Sequence, residues 1–454
     1  MLKKMLCALL CAVLLAALLG APALAAEKNA GAEELIALGL FKGSDKGPEL
    51  DREPDRVEAA VMLVRLLGKE EEALASTYSH PFSDVPGWAE PYIGYLYENG
   101  LINGISPDEF GSDVLCTGKM YATFVLRTLG YSDLNNADFA YEDALDFAAQ
   151  IGLVEKYSFY TPFTRGDMAS LSHAALFMEP KNGEFGTLLE HLTELHAVPA
   201  DLAGQYLERY ALLTELKDAL AGLSDAKTAD AAIELSCIVQ AGEETLSLDY
   251  AITAKIDIGS EMPQMAVNLE MKMPEMPGDV NSPDSSINTD IYYLDGYLYI
   301  NYDGEKNKSP LDPEEFMGEI AYSLNADEIL PYQFTGEVDK QTVGTDTLYT
   351  LSIPVDAALF EALLYDINGG ERSEEPLVMV LRFTASADGN INRITGSADM
   401  NMEIDAGDIP ATIKVSFALS IDLGVPVAID PPDDLDTYEE IDDTYVMPED
   451  LLDF

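Results

Sequence analysis

Two arginines stand where a helix would ordinarily accept a negative charge. In Asp55-Arg56-Val57-Glu58 and Thr164-Arg165-Gly166-Asp167 an oxygen-bearing residue is followed three places on by an acid, the signature of a capping box at a helix start. Arg56 and Arg165 then fall in the first helical turn, where the macrodipole favours an anion over a cation. A bound carboxylate would offset that cost, held bidentately by the guanidinium and by free helix N–H groups. The bland alternatives are a solvated surface arginine, or one paired with the acid of its own box. A related start, Thr117-Gly118-Lys119-Met120, moves the cation to Lys119 and has no acid. Trp88, the only tryptophan of the chain, is either a platform for a sugar ring or a wedge under a helix start. Arg56, Trp88, Lys119 and Arg165 are thus the candidate binding residues, three cations suited to an anion and one aromatic face.

Catalytic constellations are missing from the pattern. The histidines are His80, His173, His191 and His196, and the last two are five apart, off the spacing that puts two imidazoles on one helical face. No nucleophile elbow, phosphate loop, dinucleotide fingerprint or Cys–His couple occurs. Acid-rich loops such as Asp279 to Asp290 lack the spacing and central glycine of a calcium hand. The expectation is a protein that is not an enzyme and takes no cofactor or metal.

Charge and length narrow the class. The 454 residues carry 81 acidic against 26 basic side chains, a net charge of -55, which repels nucleic acid. An apolar fraction of 48% is that of a folded chain. Residues 1–26 read as an export signal: Lys3 and Lys4, an apolar run from Met5 to Leu19, then Ala23-Leu24-Ala25. Neither Cys7 nor Cys11 follows a lipoprotein cleavage box, so an exported protein without a lipid anchor is expected. Cys116 and Cys237 fall in different expected domains and are expected unpaired. No later run reaches the roughly 18 apolar residues of a membrane span.

The elements that would hold the candidate residues recur. Leu35 to Leu40, Leu96 to Leu101 and Ala148 to Leu153 each end a helix on a glycine (Gly39, Gly100, Gly152), where a C-cap needs positive φ. Each is followed by a loop and one of the three helix starts above. The helix after Arg56 keeps Val57, Ala60, Val61, Val64 and Leu67 on one face. Three helix pairs, at about 30–70, 80–132 and 136–180, can bury one core within residues 27–180.

Phe82-Ser83-Asp84-Val85-Pro86-Gly87-Trp88-Ala89, then Ile93, Leu96, Gly100, Gly104 and the Thr-Arg-Gly-Asp of the third unit resemble S-layer homology modules. The resemblance implies an all-α bundle of three repeats whose grooves bind secondary cell-wall polysaccharide, often through pyruvylated sugars. It implies a non-covalent wall anchor and an extracellular place on the cell wall. Each unit departs from the family pattern. Gly118 replaces the motif arginine in the second, Ala140 stands at the Trp88 position in the third, and the first lacks its entry motif. One or two working grooves are therefore expected rather than three.

The remainder differs in kind. Residues 27–180 hold 26 acids and 11 bases, residues 181–454 hold 55 and 13. Glu179 to Gly186 reads as a boundary, 181–230 as helical, and 231–440 as an antiparallel sheet with covering helices. Leu246 to Ile258 alternates with period two, as do Val267 to Met273, Ile287 to Leu294, Tyr297 to Tyr302, Thr347 to Ile353, Leu377 to Ala385 and Ile413 to Ile421. Asp295-Gly296 and Asp388-Gly389-Asn390 read as primed hairpin turns, and Pro313 to Leu324 and Val355 to Asp366 as amphipathic helices. Residues 441–454 form an acidic tail.

This order is similar to the lipoprotein-carrier half-barrels of the LolA and LppX type. That resemblance implies a concave face able to hold a lipid or another apolar ligand, and Met262, Met265, Met271, Met273 and Met276 would suit its lining. The alternative is a purely structural, filled β-domain in which the methionines are core. The fold class expected is α, then α+β.

Overall fold

The computed structural model describes residues 31–43, 46–75, 77–154, 162–183, 186–241, 244–260, 262–273, 285–317, 336–355, 377–406 and 409–441. The export signal, nearly all of the acidic tail and most of the two helices expected at Pro313 to Leu324 and Val355 to Asp366 lie outside them. Two compact units divide the chain, the boundary in the described part falling between Ala211 and Leu212.

The first unit is helical. Its elements are α1 (31–37), α2 (Arg56–Leu66), α3 (Glu70–Ala75), α4 (Glu90–Glu98), α5 (Gly118–Thr128), α6 (Ala144–Gln150), α7 (Arg165–Leu176) and α8 (Leu188–Glu194), followed by α9 (Ala200–Ala221), which crosses into the second unit. Gly39, Gly100 and Gly152 take φ of 78°, 68° and 77° after α1, α4 and α6. The next residue then donates back across the cap, Leu40 N to Leu35 O, Leu101 N to Leu96 O and Leu153 N to Ala148 O, at 2.8–2.9 Å. Leu35, Leu63, Ile93, Leu96, Tyr121 and Val125 are almost wholly buried in one apolar cluster.

That cluster does not stop near residue 180. Leu188, Leu189 and Leu192 of α8 and Ala203 of α9 belong to it, so the expected boundary at Glu179 to Gly186 is a turn inside a unit. Gly183, at φ 58°, makes the turn, while Lys181 N donates to Leu129 O and Leu188 N to Met178 O. A buried polar knot ties α1, α7 and α9. Glu34 accepts from Arg209 at 2.6 and 2.8 Å and lies 2.7 Å from His173 Nε2. Burial alone would raise the Glu34 carboxyl, but His173 and Arg209 outweigh it and hold it below its ordinary value.

The second unit is an open sheet, twelve strands among the described residues. They are β1 (Thr228–Ala241), β2 (Glu244–Asp257), β3 (Gln264–Met273), β4 (Ser285–Leu294), β5 (Tyr297–Tyr302), β6 (Glu305–Pro310), β7 (Glu337–Val343), β8 (Asp346–Val355), β9 (Leu377–Ala385), β10 (Ile391–Ala406), β11 (Ile409–Leu423) and β12 (Glu439–Glu440). Their order is β12-β6-β5-β4-β3-β2-β1-β11-β10-β9-β8-β7. Every pairing is antiparallel except that of β12 with β6.

The register sorts side chains into two faces. Tyr349, Phe383, Ile394, Ile421, Ala231, Ala254, Val267 and Ile291 stand opposite one another across eight strands, and all are buried. One residue along, Thr350, Arg382, Thr395, Ser420, Ala232, Thr253, Asn268 and Asp290 form the parallel row of the wet face. Gly396 is required on the dry side, where a Cβ would come within 2.9 Å of Leu381 Cδ2. Phe316 stacks on Tyr293 of the dry face with ring centroids 3.9 Å apart, and Leu213, Leu216 and Leu220 of α9 are buried.

Asp295-Gly296 is a primed turn, with both residues at positive φ. Asp388 to Asn390 is not, since only Gly389 has positive φ and Ser386 N reaches Asn390 O across a longer loop. Met265 and Met271 are buried in the dry face and Met262 is exposed. Met276 lies outside the described residues.

Candidate functional site

The three helix starts are built alike. Asp55 N donates to Glu58 Oε2 at 2.9 Å, and Thr164 and Asp167 form a reciprocal box, Thr164 N to Asp167 Oδ2 at 2.8 Å and Asp167 N to Thr164 Oγ1 at 3.2 Å. Thr117 Oγ1 caps α5 alone by accepting from Met120 N.

Each of two starts then docks on the loop of another pair. Arg56 N donates to Val114 O and Val57 N to Ser112 O, while Arg165 N donates to Arg52 O and Gly166 N to Leu50 O. The acceptors lie four and six residues before α5 and α2 respectively, so the two dockings are equivalent. The N–H groups expected to be free for an anion are therefore engaged with backbone carbonyls, and at these starts the guanidinium is the group left for recognition.

The guanidinium groups part company. Arg165 is 4% exposed, and donates to Glu58 Oε1 and Pro48 O at 2.9 Å and to Lys42 O at 3.3 Å. Its partner is the capping acid of α2, not of its own helix, and Arg52 grips the same carboxylate at 2.8 and 3.1 Å. Burial would raise Glu58, but the Arg52, Asp55 and Arg165 contacts hold it low.

Arg56 has no such acid. It donates to Asn103 O at 2.9 Å, the counterpart of the Arg165 bond to Lys42 O, and lies 4.8 Å from the Phe110 ring centroid. Its buried Nε has no hydrogen-bond partner, and burial pulls its pKa below the ordinary value. Arg52, Arg65, Arg127, Arg165 and Arg209 each meet a carboxylate within 4 Å, and among the described residues of this unit Arg56 is the arginine that does not.

Lys119 stands over Tyr141. The ammonium lies 5.2 Å from the Tyr141 ring and pairs with Glu142, which raises its pKa. Tyr141 is 37% exposed, and its burial raises the phenol pKa against the lowering influence of the Lys119 and Arg56 charges. Trp88 is 57% exposed and so is no buried wedge, while Phe82 is buried with its ring against Tyr97 of α4 and Ala89 is buried at the start of that helix. Trp88 makes no hydrogen bond, ion pair or ring contact with the other three candidates among the described residues. Lys119 thus lies against Tyr141, while Arg56, Arg165 and Trp88 each sit among different partners.

Several contributing residues carried weak signals in the sequence. Asp84 Oδ atoms accept from Phe110, Gly111 and Ser112 N at 2.6–2.8 Å, shaping the loop on which α2 docks. Burial works against that carboxylate, and the three N–H groups overcome it and lower its pKa. Its signal was the Phe-Ser-Asp stretch itself. Tyr141 follows Ala140 directly, placing an aromatic one position after the Trp88 equivalent. Cys116, just before α5, is a free buried thiol that burial pushes up to about 12.

On the sheet, a dent of about 350 Å³ is lined by Glu234, Ser236, Asp249, Asp399 and Ser416 among others. These five belong to the wet face, and Asp249 is held by Ser236 Oγ and Ser247 Oγ at 2.5 and 2.7 Å.

Residues 81–114 match the model of the S-layer homology domain. Trp88, Asp84, Asn103 and Phe110 lie inside that segment, and Arg56, Lys119 and Arg165 outside it. The chain is similar to the middle cell wall protein of Brevibacillus brevis, 26% identical over 178 residues, covering 38% of this chain and 17% of that protein. It is also similar to a cell surface protein of Thermoanaerobacter kivui, 31% identical over 148 residues, covering 31% of this chain and 19% of that one. The chain thus spans less than a fifth of the length of either relative. Similar solved structures include LprF from Mycobacterium bovis, with 16% identity, 49% of this chain and 97% of that chain covered, and a TM-score of 0.23. Another is a LolA-superfamily protein of Nitrosomonas europaea, with 10% identity, coverage of 50% and 96%, and a TM-score of 0.14. The S-layer homology segment and the two relatives place this chain at the cell wall and cell surface.

Proposed function

We propose that the helical unit anchors the chain non-covalently to the wall by binding an acidic group of secondary cell-wall polysaccharide, such as a pyruvylated sugar, at Arg56. The observation that carries this is the guanidinium without a carboxylate, in a chain with 81 acids to 26 bases. Where acids are so abundant, a half-buried arginine that lacks one is suited to an acid from outside. Lys119 adds charge beside it, Tyr141 a ring face, and Trp88 a second, separate stacking surface.

The equivalent dockings support three repeats closed in a ring. The first repeat's helix sits on the second's loop and the third's helix on the first's loop, which leaves the second's helix for the third. Because Glu58 already occupies Arg165, one groove works and not three. The sheet unit is displayed rather than catalytic, and with Met265 and Met271 in its core we read it as the filled, structural alternative and not as a carrier of lipid. Co-sedimentation of the folded protein with protein-free wall sacculi tests the anchor. Binding that survives Arg56→Ala would remove Arg56 from the proposal, and failure of the intact protein to sediment would remove the anchor.

A further inference from the structure

The end of the described chain forms a strap over one edge of the sheet. Beyond β11, Gly424 N bonds Thr228 O and Lys255 Nζ reaches Ala428 O, after which Ile429-Asp430-Pro431-Pro432-Asp433 has neither helix nor strand. Tyr438 is then 4% exposed, its ring 5.4 Å from that of Tyr299 and nearly perpendicular to it. Lys306 of β6 pairs with Asp434 and lies 5.7 Å from the Tyr438 ring. Glu439 and Glu440 stand opposite Asn307 and Lys308 in β12, and Ile441 N donates to Lys308 O at 2.9 Å.

Seat and strap are complementary in charge. β6 offers Lys306 and Lys308, and the strap brings Asp434, Asp436, Glu439 and Glu440. Among the described residues its hold is one aromatic anchor, one ion pair and two residues of parallel ladder, the weaker kind. Without it β6 is the outermost strand among the described residues, an edge able to accept a strand of the right chemistry. The two adjacent prolines stiffen the hinge, and short stiff hinges favour exchange of an end segment between identical chains.

We propose that the strap is exchangeable: at high local density, Asp434 to Ile441 of one copy seats on β6 and Tyr299 of a second copy and links copies of this chain through their sheet units. In dilute solution the tethered strap wins, because a short linker gives it an effective concentration on the order of millimolar. Crowded copies approach that value.

The test uses the full chain with Cys7, Cys11, Cys116 and Cys237 replaced by serine. Lys306→Cys and Asp434→Cys are placed in separate preparations, mixed, and oxidised at rising concentration. A heterodimer of the two variants whose yield climbs toward about 1 mM is expected, with the climb suppressed when Tyr438→Ala is added to the Asp434→Cys partner. The chain carrying both cysteines should close on itself in dilute solution. Closure in cis without any heterodimer at about 1 mM would overturn the proposal. Failure to close in cis would overturn it too, since the strap would then not be on its seat.

Discussion

Arg56 and Arg165 begin helices of the same make, dock on equivalent loops and bond equivalent carbonyls, yet one is sealed and the other is not. The difference lies in a third residue. Glu58 belongs to the helix that Arg56 begins, but it points its carboxylate to Arg165 and Arg52. A repeated backbone arrangement thus forms a clasp once and once leaves a guanidinium without an acid, the group we propose as the receptor, depending on where the neighbouring repeat supplies a carboxylate. The motif alone does not say which.

Breaking the clasp should have the largest effect. Arg165→Ala leaves a largely buried network short of one cation and should cost about 3 kcal/mol of stability in urea titrations, with the Arg56 groove still able to bind in the fraction that stays folded. A loss under about 0.5 kcal/mol would make Arg165 as free as Arg56. Asp84→Ala removes the acceptor of three backbone N–H groups and should cost about 2 kcal/mol while also weakening wall binding, since the loop it shapes carries Asn103 and Phe110 toward Arg56. If binding per folded molecule is unchanged, that loop does not shape the receptor.

Arg56→Ala should reverse the pattern, leaving stability within about 1 kcal/mol and lowering sacculus affinity about tenfold or more, the worth of one charge-assisted pair. Acid should act on the clasp next. Glu58 is held below its ordinary 4.5, so its contribution is fully present above that pH and is lost as pH falls through the lower folded value. Arg165→Ala should flatten the acid limb of a stability–pH profile, and Arg56→Ala should not. Lys119→Ala, whose ammonium already has Glu142, should weaken binding only about threefold. A larger loss would make it a principal contact.

Much of this architecture could be read beforehand, for stated reasons. The helix starts and glycine caps were legible because capping is a local interaction written in three or four adjacent residues. Strands β4, β5 and β9 fell close to where alternation placed them, since one face is buried. β6 and β7 were missed because edge strands carry charge where a central strand would be apolar: Glu305-Lys306-Asn307-Lys308 and Glu337-Val338-Asp339-Lys340 have no alternating face to find. β10 was missed because Gly396, Asp399 and Asn401 interrupt it. The fate of Arg165 was not legible either. Its partner is 107 residues away, and only the closure of the unit brings them together.

Cys116 has a bearing on how long such a molecule can last outside a cell. Its thiol is buried just before α5 and pushed up to about 12, so at any ordinary pH the reactive thiolate is scarce and shielded. Oxidants and disulfides at the cell surface attack thiolates that they can reach. This sulfur is therefore expected to age slowly and to form neither mixed disulfides nor covalent dimers, so a free cysteine persists here without limiting the working life of the proposed anchor.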